Sequence, residues 1–495
     1  MSPTAMDAGA DVPFPERAMG RATASTRIDG NRISLQFDGP STFDAWLEAI
    51  AGARRFIHFE NYIIRDDPQG HAFRDALVER ARAGVQVRVL YDWMGCWATP
   101  RRFWRSLREA GVEVRAFNPP ALTDPMSLLQ RDHRKLVVVD GAVAFIGGFC
   151  VGQEWAGTHD RPPWRDTGVE IRGPAAAAAA RTFERVWADC GGVVSPEAQS
   201  DPETAERKGD SLVWLIEGVP WRLRAYRATQ LMASVATHRV WITDPYFLAP
   251  RPVAEALMAA ARDGVDVRVL VPAHNNWPWV GSLSRGGYRA LLEAGVRIFE
   301  WEGPMIHAKT LVVDGRFSRI GSTNLNSASL LGNWELDVGI LDPDLAAQVE
   351  GLFLADLASA MEIVLPGRAG TPSDTPGETG WGTATLDPPT SLQERGRLAF
   401  RVGRGGKTLT LADVVRGGSA LGDAIAGRRV VGREARAVLS TVSVLLLAFA
   451  TVAGFFPRAV GWALAVIFGW IGIALTVRSG VQVWKARQRG GEAEP

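Results

Sequence analysis

The 495-residue chain predicts an α/β protein: two pseudo-symmetric α/β/α units packed together, then a C-terminal transmembrane helical hairpin. Three observations predict it. HRKLVVVDG at 133–141 returns as HAKTLVVDG at 307–315, identical at six of nine positions and 174 residues further on. Around both copies short β-branched strands alternate with amphipathic helices, the pattern of layered α/β units. Beyond residue 436 lie two long uncharged apolar runs.

Residues 1–30 begin MSPTAMDAGADVPFPERAMG, which has no apolar run of the signal-peptide kind, and they read as a disordered leader. The first unit spans 31–200 and the second 211–365. ARAGVQVRVL at 81–90 matches ARDGVDVRVL at 261–270 at eight of ten positions, and LREAGVEVRAF at 107–117 is echoed by LLEAGVRIFEW at 291–301. Each unit therefore runs strand, helix, Gly-Val turn, strand, helix, Gly-Val turn, strand, and then the His-Lys-Asp segment. FRDALVERARAG (73–84) carries apolar residues at three- and four-residue steps, as a helix with one buried face does. Two such units most simply pack as a pair; a single duplication does not build a solenoid.

After Leu365 the composition shifts to PGRAGTPSDTPGETGWGTATLDPPT, so 366–400 reads as a flexible linker with too little apolar surface to fold alone. A basic juxtamembrane segment, 401–436, leads to two transmembrane helices within 437–477. Each uncharged run, 437–456 and 459–477, is about 30 Å long as a helix, enough to cross a bilayer core. Arg428, Arg429, Arg433 and Arg436 precede the runs; Arg478, Lys485, Arg487 and Arg489 follow them in the tail, 478–495. The positive-inside rule then places both ends, and everything before them, in the cytoplasm. The net charge of +1 hides this asymmetry: residues 395–495 carry 15 Lys/Arg against 5 Asp/Glu, leaving −9 on the rest. A basic tail suits an anionic membrane surface, whereas an acidic catalytic half does not suit nucleic acid. Cys96, Cys150 and Cys190 are odd in number and lack zinc-type spacing, which fits a reducing compartment.

Side chains alternate along a strand, so His133 shares a face with Lys135, and His307 with Lys309. A twofold axis that joined the two strands would bring two imidazoles and two ammonium groups to one point. Such a site suits a phosphate diester: the cations neutralise its oxygens, one imidazole attacks phosphorus, and the other protonates the leaving alkoxide. The second imidazole would then deprotonate an incoming hydroxyl. No metal or other cofactor is expected, because the chain shows neither a carboxylate-rich magnesium site nor a HExxH zinc motif.

Over residues 31–365 the sequence resembles the phospholipase D superfamily, whose signature is HxKxxxxD followed by GS or GG and then xN. FENYIIRDDPQG (59–70), VLYDWMG (89–95), RDHRKLVVVDGAVAFIGG (131–148), WRDTGVEIRGP (164–174), DPYFLAP (244–250) and GSTNLNSASLLGNWE (321–335) are similar to its bacterial cardiolipin synthase branch. The resemblance implies phospholipase D-like units and a catalytic set of His133, Lys135, Asp140, His307, Lys309 and Asp314. In it His133 is the nucleophile and His307 the general acid/base, while Asp140 and Asp314 fix local structure at strand ends. Ser322, Asn324, Gly147 and Gly148 would hold the phosphate, and Asp166 and Glu335 would orient the histidines. Glu60, an acid inside an apolar strand, reads either as a site residue or as a structural ion. Cys150 stands where the family has Asn, and a thiol is a weak donor, so an asymmetric phosphate cradle leaning on Ser322 and Asn324 is expected.

The resemblance implies a phosphatidyltransferase of the bacterial inner membrane. It would move a phosphatidyl group between phosphatidylglycerol molecules, or related anionic phospholipids, through a phosphohistidine with release of glycerol. A phospholipase D-like hydrolase, a nuclease and a non-catalytic lipid-binding scaffold are the alternatives. DWMGCW (92–97) and HNNWPWVG (274–281) follow equivalent strands. Their tryptophans are suited to a lipid–water boundary, and these loops are expected to dip into the membrane.

Overall fold

The computed structural model describes residues 14–120, 130–196, 199–220 and 222–365, with 462, 469 and 470. In the first half the strands are β1 (Ile28–Gln36), β2 (Phe56–Asn61), β3 (Gln86–Asp92), β4 (Glu113–Phe117), β5 (Lys135–Val139), β6 (Val143–Gly147) and β7 (Gly168–Arg172). The second half supplies β8 (Ser211–Gly218), β9 (Arg239–Thr243), β10 (Asp266–Pro272), β11 (Arg297–Trp301), β12 (Thr310–Val313), β13 (Phe317–Gly321), β14 (Glu335–Leu341) and β15 (Ala360–Ile363).

All fifteen join one sheet, in the order β15-β11-β10-β9-β12-β13-β14-β8-β1-β7-β6-β5-β2-β3-β4. Read outward from the centre, β1-β7-β6-β5-β2-β3-β4 mirrors β8-β14-β13-β12-β9-β10-β11, so the sequence repeat is also a spatial one. The halves meet edge to edge, with Ile28 opposite Val213 and Asn31 opposite Ser211 in an irregular antiparallel pair. That pairing covers two strand edges that would otherwise expose unpaired backbone groups.

The anticipated order of strands and helices is present in both halves. Helices Pro68–Arg82 and Arg101–Glu109 connect the parallel strands β2, β3 and β4, and Arg251–Arg262 and Pro278–Glu293 do the same for β9, β10 and β11. On one face a core common to both halves forms under the helices Pro174–Asp189 and Pro343–Leu357. The alanine run of Pro174–Asp189 buries Ala175, Ala176, Ala179 and Ala180, letting the helix lie close to the sheet. Each half fills its other face with a core of its own.

The leader expectation fails from residue 14 onward. Glu16–Thr23 is a helix with Met19 fully buried, and β1 begins at Ile28. Phe14 packs on Trp214 and Phe317, at ring-centroid distances of 5.6 and 5.3 Å. Apolar contacts with the second half therefore order what composition alone marks as loose. Among the described residues no helix is long and apolar enough to cross a membrane. The expected linker, juxtamembrane segment and tail, and nearly all of the hairpin at 437–477, lie outside the described residues.

Candidate active site

His133 and His307 stand just before β5 and β12, where a short backbone stitch ties each to the opposite half. The His133 N–H donates to Trp334 O at 2.8 Å, and Trp334 N–H donates to Arg131 O at 2.8 Å. In the other copy His307 N–H donates to Arg165 O at 2.7 Å and Arg165 N–H to Met305 O at 2.9 Å. The residue after each stitched partner is a carboxylate. Glu335 follows Trp334 and Asp166 follows Arg165, so each acid arrives beside a histidine of the other half. His133 Nδ1 lies 2.9 Å from Glu335 Oε2, and His307 Nδ1 lies 2.6 Å from Asp166 Oδ2. Both acids are fully buried. With Nδ1–H directed at a carboxylate, each Nε2 keeps its lone pair for chemistry.

Lys135 and Lys309, both essentially buried, complete the cluster. The Lys309 ammonium donates to the His307 carbonyl and sits 2.9 and 3.0 Å from the two ring nitrogens. Lys135 donates to the His133 carbonyl and lies 5.0 Å from the Tyr62 ring centre. Charge passes between the halves: Lys135 bears on His307, Lys309 and Glu335. Burial and then the Lys309 charge take His307 down to about 3, against the pull of Asp166. Asp166 is pushed up by burial but held below the usual range overall by His307 and Lys309. Burial lowers Lys309 to about 8. Glu335 goes the other way, raised by burial to about 7 although Lys135 and the Ser322 hydroxyl pull it down. The two imidazole–carboxylate pairs are thus electrostatically unequal.

Not every residue of the expected catalytic and phosphate-binding sets joins the cluster. Asp140 and Asp314 stand apart from it and fix local structure at strand ends, the role the resemblance implies for them. Both adopt left-handed backbone, at φ 55° and 52°. The Asp140 carboxylate accepts the N–H groups of Arg54, Arg55 and Phe56 at 2.8–2.9 Å, and Asp314 those of Thr237, His238 and Arg239 at 2.8 Å. They pin the starts of β2 and β9, roughly 20 Å of strand from the histidines.

Gly147 and Gly148 do not offer donors to a phosphate. Gly147 pairs with Gly168 within the sheet, and Gly148 N–H is spent on Thr167 O at 3.0 Å. Gly148 instead leaves room for Asp166, whose Oδ1 would lie 2.0 Å from any Cβ there. Ser322 is committed as well: its hydroxyl donates to Glu335 Oε2 at 2.6 Å and accepts Leu336 N–H at 2.9 Å. It holds the carboxylate that holds His133. Asn324 donates from its amide to Ser329 Oγ at 3.3 Å, and its buried Oδ1 has no partner among the described residues.

Cys150 is buried, its thiol pushed up by burial against the pull of Lys135 and Lys309, which places it at the cluster where Asn324 has an amide in the other half. Glu60 faces Arg134 at 3.1 Å in the sheet interior, where burial pushes its carboxyl well above the usual range against the pull of Arg134. Among the described residues no group of three or more His, Cys, Asp or Glu is arranged to hold a metal ion.

Sequence reasoning missed the aromatic walls. Tyr62 is 4.7 Å from the His133 ring, and Tyr246 is 6.0 Å from that of His307. Trp155 donates from Nε1 to Asp166 Oδ2 at 2.8 Å and stands 5.5 Å from His307, with Trp164 at 5.7 Å. Tyr62 and Tyr246 follow equivalent strands, β2 and β9, and that equivalence was the available signal.

A duplicated α/β fold sharing one buried pair of histidines, each backed by the other half's carboxylate, defines a phosphodiester-exchange protein of the phospholipase D kind. Residues 46–187 and 230–357 match the family described as cardiolipin synthase, PLD-like domain. A cardiolipin synthase A of Pseudomonas aeruginosa (strain LESB58) is 35% identical over 357 residues, covering 70% of this chain and 71% of that protein. A cardiolipin synthase of Geobacillus sp. (strain WCH70) is 35% identical over 367 residues, covering 71% and 72%. The fold is similar to the crystal structure of phosphatidylserine synthase from Haemophilus influenzae Rd KW20, with TM-score 0.56, 15% identity, and coverage of 70% of this chain and 91% of that one. The chain belongs to the cardiolipin synthase family of phospholipase D-like proteins.

Proposed function

We propose that the chain, a phospholipid phosphatidyltransferase of the cardiolipin synthase type, takes the phosphatidyl group of one phosphatidylglycerol and passes it to the hydroxyl of another. The observation that carries this reading is the crossed pairing of His133 with Glu335 and His307 with Asp166. In the first step His133 Nε2 attacks phosphorus, the P–O bond to glycerol breaks, and His307 gives its proton to the departing alkoxide. Without substrate His307 is unprotonated; an arriving phosphodiester monoanion brings negative charge beside it and raises its proton affinity, so it takes up a proton from water before the first step. In the second step the unprotonated His307 takes the proton of the acceptor hydroxyl, whose oxygen displaces His133. One phosphodiester replaces another, so no nucleotide is consumed.

Lys135 and Lys309 neutralise the non-bridging oxygens, and the amide of Asn324 adds a donor on one side only. The apolar runs at 437–477 anchor the chain as a hairpin in the bacterial inner membrane with the catalytic half in the cytoplasm. The test is product analysis. Purified chain in vesicles with labelled phosphatidylglycerol should release one glycerol per four-chain lipid formed, and His133→Ala should abolish both. Phosphatidic acid as the main product would make the chain a hydrolase instead.

A further inference from the structure

The two tryptophan-bearing loops occupy equivalent places, after β3 and after β10. Each presents large apolar groups to solvent: Trp97 is 73% exposed, Met94 40% and Trp277 46%. Indoles of this size are seldom left in water without a use, and they are favoured where hydrocarbon meets headgroups. Both loops lie on the edge of the sheet that carries the site. β5 runs antiparallel to β2 with Lys135 opposite Asn61, and β12 runs antiparallel to β9 with Thr310 opposite Thr243. The C-terminal ends of the parallel strands therefore adjoin the histidines. Beside Trp97 the helix Arg101–Glu109 opens with Arg101 and Arg102, exposed together with Arg105. Arg102 reaches Asp66 at 2.6 Å and still leaves three quarters of its side chain in solvent. Apolar tips next to guanidinium groups match an anionic headgroup layer over hydrocarbon.

Each loop is also keyed to an aromatic wall of the site. Gly95 packs so closely on Tyr62 that a Cβ would lie 1.9 Å from the Tyr62 carbonyl oxygen. Cys96 accepts the Ile64 N–H at 3.2 Å, gripping the same segment. In the second half the Tyr246 hydroxyl donates to Asn276 Oδ1 at 2.9 Å, and the Asn275 amide donates to Pro245 O at 2.7 Å. Trp277 N–H in turn donates to Asn275 Oδ1 at 2.7 Å. Tyr62 and Tyr246 are the rings that flank His133 and His307.

We propose that these loops form a docking face for an anionic lipid bilayer, with Trp97 and Trp277 seated in the interface beside the mouth that Tyr62 and Tyr246 line. The proposal rests on the transfer reading above, because a phosphate still tethered by acyl chains reaches the histidines only if the mouth of the site meets the bilayer. A soluble protein or a second copy of this chain on the same face would leave lipid presentation without effect.

The test uses the full chain in phosphatidylcholine vesicles, with Trp97→Ala/Trp277→Ala beside the parent. Turnover is compared for long-chain phosphatidylglycerol within the vesicle and for short-chain phosphatidylglycerol dissolved in the water phase. The ratio of the two rates should fall about tenfold or more in the double variant, each tenfold being 1.4 kcal/mol of lost docking. Trp97→Phe/Trp277→Phe should recover most of the ratio. An independent reading needs no turnover: brominated phosphatidylglycerol should quench a part of the parent's tryptophan emission that the double variant lacks. An unchanged ratio, a parallel loss of both rates, or equal quenching in parent and variant would each overturn the docking face. A parent that shows the quenching difference yet releases no glycerol in either presentation would contradict the transfer reading alone.

Discussion

The carboxylates Asp166 and Glu335 do different work although they occupy equivalent places. Asp166 is held ionised by His307 and Lys309, whereas burial lifts Glu335 to about 7. Glu335 holds His133 Nδ1–H most strongly when ionised and Lys309 holds the phosphate only when charged, so kcat/KM should rise with pH through about 7 and fall again above about 8. Glu335→Gln cannot titrate; it should flatten the rising limb and lower the maximum by about 10²–10⁴-fold, the scale on which an orienting carboxylate matters. A pH–rate profile checks both. Asp140 and Asp314 belong to stability rather than chemistry. Each Asp→Ala change strands backbone donors and should cost about 1–3 kcal/mol in urea unfolding, with turnover per folded molecule unchanged.

His58 is fully buried between Phe56 and Phe183, at ring distances of 4.6 and 4.4 Å, and neither ring nitrogen has a hydrogen-bond partner among the described residues. Burial, with Arg88 adding to it, lowers its pKa from 6.5 to about 3. Below pH 6.5 the unfolded chain binds a proton that the folded chain refuses, so stability falls as pH drops from 6.5 towards 3, by about 1.4 kcal/mol per pH unit. His58→Leu should remove that contribution from the acid-unfolding slope.

At the scale of elements, the stitches at Trp334 and Arg165 make two half-sites into one. β6 ends at Gly147, and the next residue must be glycine because Asp166 fills the space beside it. Gly148→Ala should displace Asp166 and cut transfer by about 10²-fold or more, the cost of misplacing a reacting group by an ångström, which single-turnover rates would show. The repeat in sequence exposed the order of strands and helices because ARAGVQVRVL and ARDGVDVRVL fix the same turn, face and register. It did not expose the join between β1 and β8. Their apolar alternation shows which faces are buried but not which edge pairs with which. Nor did it expose the duty of Ser322, because the direction of a hydroxyl proton depends on Glu335, a neighbour reached only through folding. The histidine–carboxylate pairs could be proposed from WRDTG and NWE through family resemblance, but their crossing between halves could not.

For the molecule as a whole, one sheet runs through both repeats, and the functional unit is the pair. A chain ending at residue 200 keeps His133 and Lys135 yet lacks Glu335, Trp334 and the β8 strand that covers β1. It should show no transfer and should aggregate through the uncovered edge, which sedimentation and product analysis would reveal. Phe14 and Met19 reach from the start of the described chain to the second half, which ties the N-terminal helix to the same body.

The most direct measurement is the stoichiometry and location of the covalent intermediate. Acid-labile phosphatidyl label, trapped by rapid quenching during turnover of phosphatidylglycerol, should reach no more than one group per chain and lie on the peptide containing His133. It should vanish in His133→Ala and form far more slowly in His307→Ala, which lacks the acid for the departing alkoxide. Two groups per chain, or label on each half independently of the other's histidine, would contradict a single phosphorus atom shared between the repeats.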